Sequence, residues 1–329
     1  MKKARLFLLA ALFCLLGSAA GAEWIWRPDV GWINTKEIVK ASPQEQFDYG
    51  MRLREKGEYK AAARAFQLLL YTFPHSKLAP RAAMMTADSL FKAGYYYSAF
   101  LAVKRVIRNY PDSENLGACA KMLYEIGRRF LQGAKREFLG IKLFSGKSSA
   151  VEVFEELHSF DPWGEYGDDA LLGLGDAWMR LHEYRKAAEI YGKLAAEYPD
   201  SPLAPRARLQ QAKCYDLLSR SWSHDFLSLS RAMKVLNEIK PDADISEQAR
   251  ALREVIEDRL AHKHYETARF YLRRKKYPAA EIYFLKVMRE FPATVWAEKA
   301  KGELAKVRKL MAEKKKASAP AKEAPPKGD

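Results

Sequence analysis

Tyr198-Pro199-Asp200-Ser201-Pro202-Leu203-Ala204-Pro205-Arg206-Ala207 repeats, with few changes, the earlier Phe73-Pro74-His75-Ser76-Lys77-Leu78-Ala79-Pro80-Arg81-Ala82. Shorter versions occur at Asn109-Tyr110-Pro111-Asp112-Ser113 and Glu290-Phe291-Pro292-Ala293-Thr294, with looser ones at Phe160-Asp161-Pro162 and Ile239-Lys240-Pro241. From Pro74 to Pro111 is 37 residues, and from Pro162 to Pro199 is again 37; the other intervals are 51, 42 and 51. A period in the mid-thirties fits two antiparallel helices and two turns, and the longer intervals fit the same unit carrying insertions.

About fifteen residues before most of these prolines lies a second signal: Lys56-Gly57-Glu58-Tyr59, Ala93-Gly94-Tyr95-Tyr96, Leu181-His182-Glu183-Tyr184 and Lys275-Lys276-Tyr277-Pro278. A small residue and a large apolar one follow at helical spacing: Ala62 with Phe66, Ala99 with Val103, Ala150 with Phe154, Ala187 with Tyr191, and Ala280 with Phe284. The alanine lets two helices approach, and its partner fills the layer beside it. Proline then ends the helix, having no N–H and restricting its predecessor.

With a small residue at each first helix's crossing point (Gly50, Ala87, Gly175, Ala268), the pattern resembles the tetratricopeptide repeat from about Pro43 to Pro292. The fold expected is all-α, a tetratricopeptide-repeat superhelix (α-solenoid) of about five to six helix pairs. Val295 to Met311 form a capping helix. The third unit carries an insertion between its helices, Gly133 to Ser149, and the fifth is irregular around Ser219 to Phe226. The domain reading is a signal peptide over 1–22, an aromatic segment over 23–42, the repeats over 43–311 and a disordered Lys/Ala/Pro tail over 312–329.

Lys2, Lys3 and Arg5, the apolar run from Leu6 to Leu16 and the small residues Ala20-Gly21-Ala22 read as an export signal. Cys14 is preceded by Phe13, where a lipoprotein signal wants a small residue, so simple cleavage after Ala22 is expected. Cys119 and Cys214 sit in apolar helical patterns and read as buried free thiols. Without the three basic residues of the signal, 53 basic residues face 41 acidic ones, about +12. Export argues against nucleic acid and leaves acidic protein surfaces or lipid as partners of that charge.

Leu123-Tyr124-Glu125-Ile126-Gly127-Arg128-Arg129-Phe130-Leu131-Gln132-Gly133, running into an insertion before Ala150-Val151-Glu152-Val153-Phe154, resembles the middle of the BamD-like family of outer-membrane assembly lipoproteins. The start, Glu23-Trp24-Ile25-Trp26-Arg27-Pro28 with Gly31-Trp32, looks like the start of members of that family. The resemblance implies a periplasmic accessory, peripheral to the outer membrane. It would bind the periplasmic domains of a BamA-type insertase and unfolded outer-membrane proteins. No cofactor is implied. A different periplasmic adaptor, such as a CpoB-like coordinator of envelope constriction or a secretion-system scaffold, fits the same repeats; a CpoB-like chain would bring an N-terminal coiled coil, and Trp24 to Lys40 shows no heptads.

Aligning the repeats on their prolines places Phe47, Met51, Arg54, Arg81, Met84, Asp88 and Phe91 on the inner face of the first two units. There an arginine could meet the carboxylate of an extended peptide, and methionine adapts to varied partners. Ordinary packing is the alternative reading of Phe47 and Met84. Arg273-Arg274-Lys275-Lys276 is either a solvated turn or a docking patch for an acidic domain. Trp24 and Trp26, with Trp32, either cover the edge of the first unit or anchor a partner. The basic insertion Lys135 to Lys147 is expected as a loop folded back on the helices. Enzyme signatures are missing: there is no GxSxG, no phosphate-cradling glycine loop and no HExxH. His262 and His264 are two apart, on different helix faces, and offer no metal site.

Overall fold

The computed structural model describes residues 24–27, 31–34, 39–114, 116–138, 141–221, 226–240 and 245–317. The expected signal and the residues after 317 lie outside the described residues. Among the described residues, thirteen helices follow one another in chain order. They are α1 (Pro43–Glu55), α2 (Tyr59–Thr72), α3 (Ala79–Lys92), α4 (Tyr96–Asn109), α5 (Leu116–Leu131), α6 (Lys147–Phe160) and α7 (Gly167–Arg180). Then come α8 (Tyr184–Glu197), α9 (Ala204–Ser221), α10 (Phe226–Asn237), α11 (Ser246–Arg273), α12 (Tyr277–Glu290) and α13 (Val295–Ala317). Two short antiparallel ribbons accompany them: β1 (Trp24–Arg27) with β2 (Gly31–Asn34), and β3 (Lys135–Phe138) with β4 (Ile141–Ser145). The fold is all-α, of the tetratricopeptide type.

Two local rules place the helix ends. The residue before each repeat proline leaves the helical region: Phe73 has φ −129° and ψ 57°, Tyr110 −136° and 57°, Asp161 −143° and 72°, and Phe291 −132° and 51°. This is the restriction that a following proline imposes. The first helix of a pair ends differently, on a residue with left-handed backbone: Gly57, Gly94, Gly133, His182 and Lys275. In each case the next N–H reaches back five residues, as in Glu58 to Leu53, Tyr95 to Leu90, Ala134 to Arg129, Glu183 to Trp178 and Lys276 to Tyr271. The last carbonyls are thereby satisfied. Glycine fills this slot without steric cost; His182 and Lys275 do not.

The helices fall into two compact units, 1–183 and 184–329. In the first, consecutive helices α1 to α7 pack pairwise, α5 also touches α3 and α7, and the core is built where small residues meet aromatic ones. A Cβ on Gly50 would lie 2.6 Å from Phe66, and one on Gly127 would lie 2.6 Å from the ring tip of Phe154. Gly173 presses the same Phe154 ring, so this one side chain is held between α5 and α7. Gln46 is fully buried, and two hydrogen bonds offset its desolvation: it donates to Ala65 O and accepts from Lys40 N, both at 2.9 Å.

In the second unit, α8 to α13 pack in sequence, with α11 also against α9 and α13. Asp216 is buried on α9 and is held by Arg259 of α11 and, at 2.7 Å, by Arg220 of its own helix. The same unit contains an aromatic layer. His264 is buried among Phe226, Tyr283 and Phe291, and its Nδ1 has no hydrogen-bond partner among the described residues. Burial, with Lys286 nearby, lowers its pKa from 6.5 to about 4. Helix α13 continues to Ala317, beyond the Met311 boundary read from the sequence, because Ala312 to Lys315 are strong helix formers.

Two outcomes follow. Nothing lies within 4 Å of a Cβ on Gly57, so Gly57→Ala tests the backbone alone; at φ +78° it should cost about 1 kcal/mol in denaturant unfolding. His264 stays neutral in the folded chain down to about pH 4, whereas the unfolded chain takes up its proton near 6.5. Its stabilising contribution is therefore complete above pH 6.5 and is lost as pH falls towards 4, by up to about 3 kcal/mol. Thermal melts of the second unit should show that loss, and His264→Phe should reduce it.

Candidate functional site

The seven residues expected on the inner face lie on α1 and α3, the leading helices of the first two pairs. They separate into two layers. Phe47 is 3% exposed and packs on Phe66 with ring centroids 5.3 Å apart; Met84 is 6% exposed and places its Sδ 3.9 Å from Cys119 Sγ on α5. Both are core side chains, the packing alternative of the sequence reading. Arg81 is exposed and lays its guanidinium over the Phe47 ring at 5.0 Å. Arg54 donates from Nε to Asp88 at 2.9 Å, and Lys92 also approaches Asp88 at 3.4 Å, so this ion cluster ties α1 to α3. Phe91 is half-buried against Tyr96, and Arg129 lies over it at 5.8 Å. Met51 is half-buried at the edge of the Phe47 cluster. Of the seven, Arg81 is exposed, Met51 and Phe91 are half-buried, and Arg54 and Asp88 are paired with each other.

The insertion in the third unit is a β-hairpin, where the sequence predicts a loop. Lys135 to Phe138 pair with Ile141 to Ser145, with a register shift between Arg136 and Glu137. Neighbouring strand residues ordinarily point to opposite faces; the irregularity lets these two both address the helices. Arg136 stacks on Tyr97 at 3.6 Å and bonds Glu152 of α6 at 3.1 Å, while the Tyr97 hydroxyl donates to Glu152 at 2.9 Å. Burial, and then Glu152, raises the Tyr97 pKa. Glu137 is buried and accepts the Ser98 N–H at 2.7 Å, in the first turn of α4, where a carboxylate is favoured by the exposed amides. The folding-back expected of this segment thus has a mechanism: the hairpin carries an acidic cap for a helix of the preceding pair.

The docking candidates lie elsewhere. Arg273 ends α11, and Arg274, Lys275 and Lys276 form the turn to α12; all four are exposed. Arg274 covers Phe270 at 4.7 Å. None of the four forms an ion pair among the described residues. Trp24 and Trp26 are in β1, with Trp26 opposite Trp32 of β2. A β-ribbon is what places these tryptophans, and the sequence reading left the segment without secondary structure. His262 and His264 do diverge: His262 stacks on Trp296 at 4.1 Å, and His264 is in the core. Cys119 and Cys214 are buried and form no disulfide, and burial pushes the Cys119 thiol up to about 11, where it is unreactive. Among the described residues, no group of three or more His, Cys, Asp or Glu could hold a metal ion, and no helix is long and apolar enough to cross a membrane.

Comparison with known proteins adds a family to this geometry. The model of the family described as "YfiO: Outer membrane lipoprotein" matches residues 40–177 and again 142–322. The chain belongs to the YfiO family. The two matches overlap and together take in every helix, as expected when one repeat-built model fits two runs of similar units. A relative of the chain is the outer membrane protein assembly factor BamD of Caulobacter vibrioides, 25% identical over 129 residues; the match spans 38% of this chain and 42% of that protein. Solved structures with a similar fold include a thermophilic TPR protein of Thermus thermophilus (22% identity, 64% of this chain and 98% of that one, TM-score 0.31). Another is a tetratricopeptide repeat protein from Parabacteroides merdae (12% identity, 82% and 100% covered, TM-score 0.34). Scores of this size set no common superposition of whole chains, and the fold of this YfiO-family chain rests on its own helix pairs.

Removing the cap should be felt locally. Glu137→Ala leaves the Ser98 amide without its acceptor and should cost about 1–3 kcal/mol. Hydrogen exchange is expected to speed up in the first turn of α4 and in the hairpin, with little change in α11 to α13.

Proposed function

We propose that this chain is a non-enzymatic scaffold of the outer-membrane β-barrel assembly machinery, working on the periplasmic face of the outer membrane. In this reading it binds the periplasmic domains of a BamA-type insertase and unfolded outer-membrane proteins. Membership of an outer membrane lipoprotein family supports the setting, and the BamD relative supports the process. The observation that carries the binding role is the turn Arg273 to Lys276, four successive cations that take part in no ion pair among the described residues.

The two surfaces have different tasks. The turn docks the scaffold on an acidic patch of the insertase, with Trp24 and Trp26 of the β1–β2 ribbon as a second contact. The inner face of α1 and α3 receives the client. Arg81 offers a guanidinium group for a peptide carboxylate while Arg54 is engaged by Asp88, Met51 and Phe91 give apolar contact, and buried Phe47 and Met84 hold that surface from below.

Affinity isolation from membranes of the native host, through a tag at Asp329, should recover a BamA-type barrel protein in stoichiometric amount. Arg273→Glu with Lys275→Glu and Lys276→Glu should lower that recovery at least about tenfold, the loss expected when a charged docking patch is reversed. Arg81→Ala with Phe91→Ala should leave it intact while weakening cross-linking of unfolded outer-membrane proteins. Reproducible recovery of another envelope complex without the insertase would end the assembly reading and leave the scaffold.

A further inference from the structure

Next to the basic turn, within the second unit, α10 and α11 enclose an open groove of about 630 Å³. Phe226 of α10 lines it together with His262, Lys263, Phe270, Tyr271 and Arg273 of α11. Phe270 is 42% exposed, with Tyr271 edge-on to it at 5.5 Å and Arg274 over it at 4.7 Å. Lys263 lies over Phe226 at 5.4 Å. The floor is therefore aromatic and the margin cationic. Glu266 is the acid that lines it, and Arg269 already engages that carboxylate at 3.2 Å.

We propose that this groove binds an acidic peptide segment carrying an aromatic or large aliphatic anchor, with the anchor on Phe270 and Tyr271 and the acids on Arg273 to Lys276. Three observations converge on that occupant. Charge is the first: Arg273, Lys275 and Lys276 stand beside the groove with no acidic partner among the described residues, so an anionic segment completes them. Shape is the second. Lys263 to Arg273 spans ten residues of helix, about 15 Å, which an extended peptide of about five residues covers. Backbone is the third: Lys275 occupies, at φ 56°, the left-handed slot that glycine fills in the first three pairs. This backbone is adopted against steric preference, and the exposed Lys275 side chain it carries is available to an anion at the rim.

This inference goes beyond the assembly reading, because it names the chemistry of the bound segment whichever envelope protein supplies it. The test is selection of a random octapeptide phage library on the immobilised full chain, followed by fluorescence anisotropy with the enriched peptides. Enriched sequences should pair two or more Asp or Glu with a Phe, Tyr, Trp or Leu. Phe270→Ala should weaken them at least about tenfold, as loss of a buried aromatic anchor does. Arg273→Ala with Lys276→Ala should do the same, with most of the remaining affinity insensitive to salt. All three positions lie at the surface, and unchanged thermal melts would show that these variants fold. The proposal is overturned by failure of any such sequence to enrich, by enrichment that survives both variants, or by phosphatidylglycerol vesicles that bind the chain through these same residues and compete no acidic peptide. Insertase recovery is scored separately in the same variants. Peptide selection that fails beside intact recovery removes this inference alone, and peptide binding beside absent recovery removes the assembly role alone.

Discussion

Close approach of helices at residues without a side chain is the constraint from which the rest of the structure follows. Gly127 and Gly173 lie against one ring, Phe154, and Gly50 against Phe66, so the spacing between successive helices is set by the thickness of an aromatic ring. Interiors packed to that density have discrete solutions. Once the ring is in place, the rotation of each helix is fixed, and with it the identity of the residues left facing outwards. Phe47 and Met84 are drawn inwards by this rule. Arg81 is left at the surface by the same rule, and Phe91 is left half-buried.

Charge is distributed in a way that separates structure from binding. Where the fold needs a fixed crossing, it pairs its ions: Arg54 with Asp88 joins α1 to α3, and Asp216 with Arg259 joins α9 to α11. A buried pair of this kind adds little net stability, since desolvation offsets attraction, but it penalises any other register. The turn after α11 is the opposite case. Its cations are solvated, cost the fold almost nothing, and extend a field over one Debye length, about 8 Å, into solution. A net charge of +15 reflects such exposed groups more than anything in the core.

The helix pairs were legible because both of their boundaries are local. Proline acts on its immediate predecessor, and the left-handed turn closes over five residues, so Phe73-Pro74 and Lys56-Gly57 carry their meaning within a short window. The hairpin at 135–145 was not legible, because what holds it is remote. Glu137 is fixed by the amide of Ser98, and Arg136 by Tyr97 and Glu152. Gly127 escaped notice as a crossing residue for a related reason: the insertion breaks the constant spacing from Gly50, Ala87, Gly175 and Ala268 to the alanine of the second helix. Face assignment had a different weakness. Aligning on proline gives the correct helix, but each residue turns by about 100°, so an error of one position moves a side chain from groove to core. The groove beside Phe270 needs Phe226 from another helix, and no motif in α11 alone announces it.

The departures from the repeat pattern fall into two kinds, and the distinction bears on function. Some are absorbed by the fold, as the third-unit insertion is when it caps α4. Others are left outside it. Lys275 stands in a glycine slot, Phe270 keeps much of its ring in water, and Arg273 and Lys276 have no counter-ion among the described residues. The proposed acidic and apolar segment would cover Phe270 and supply counter-ions to Arg273 and Lys276, while the backbone of Lys275 would be unchanged by it. A repeat scaffold stabilises itself through neighbours within a unit, so it tolerates such local costs at one turn without loss of the whole. Their accumulation at the end of α11 is what favours that turn for the proposed partner over the α1 and α3 candidates, where Arg54 and Asp88 are already paired.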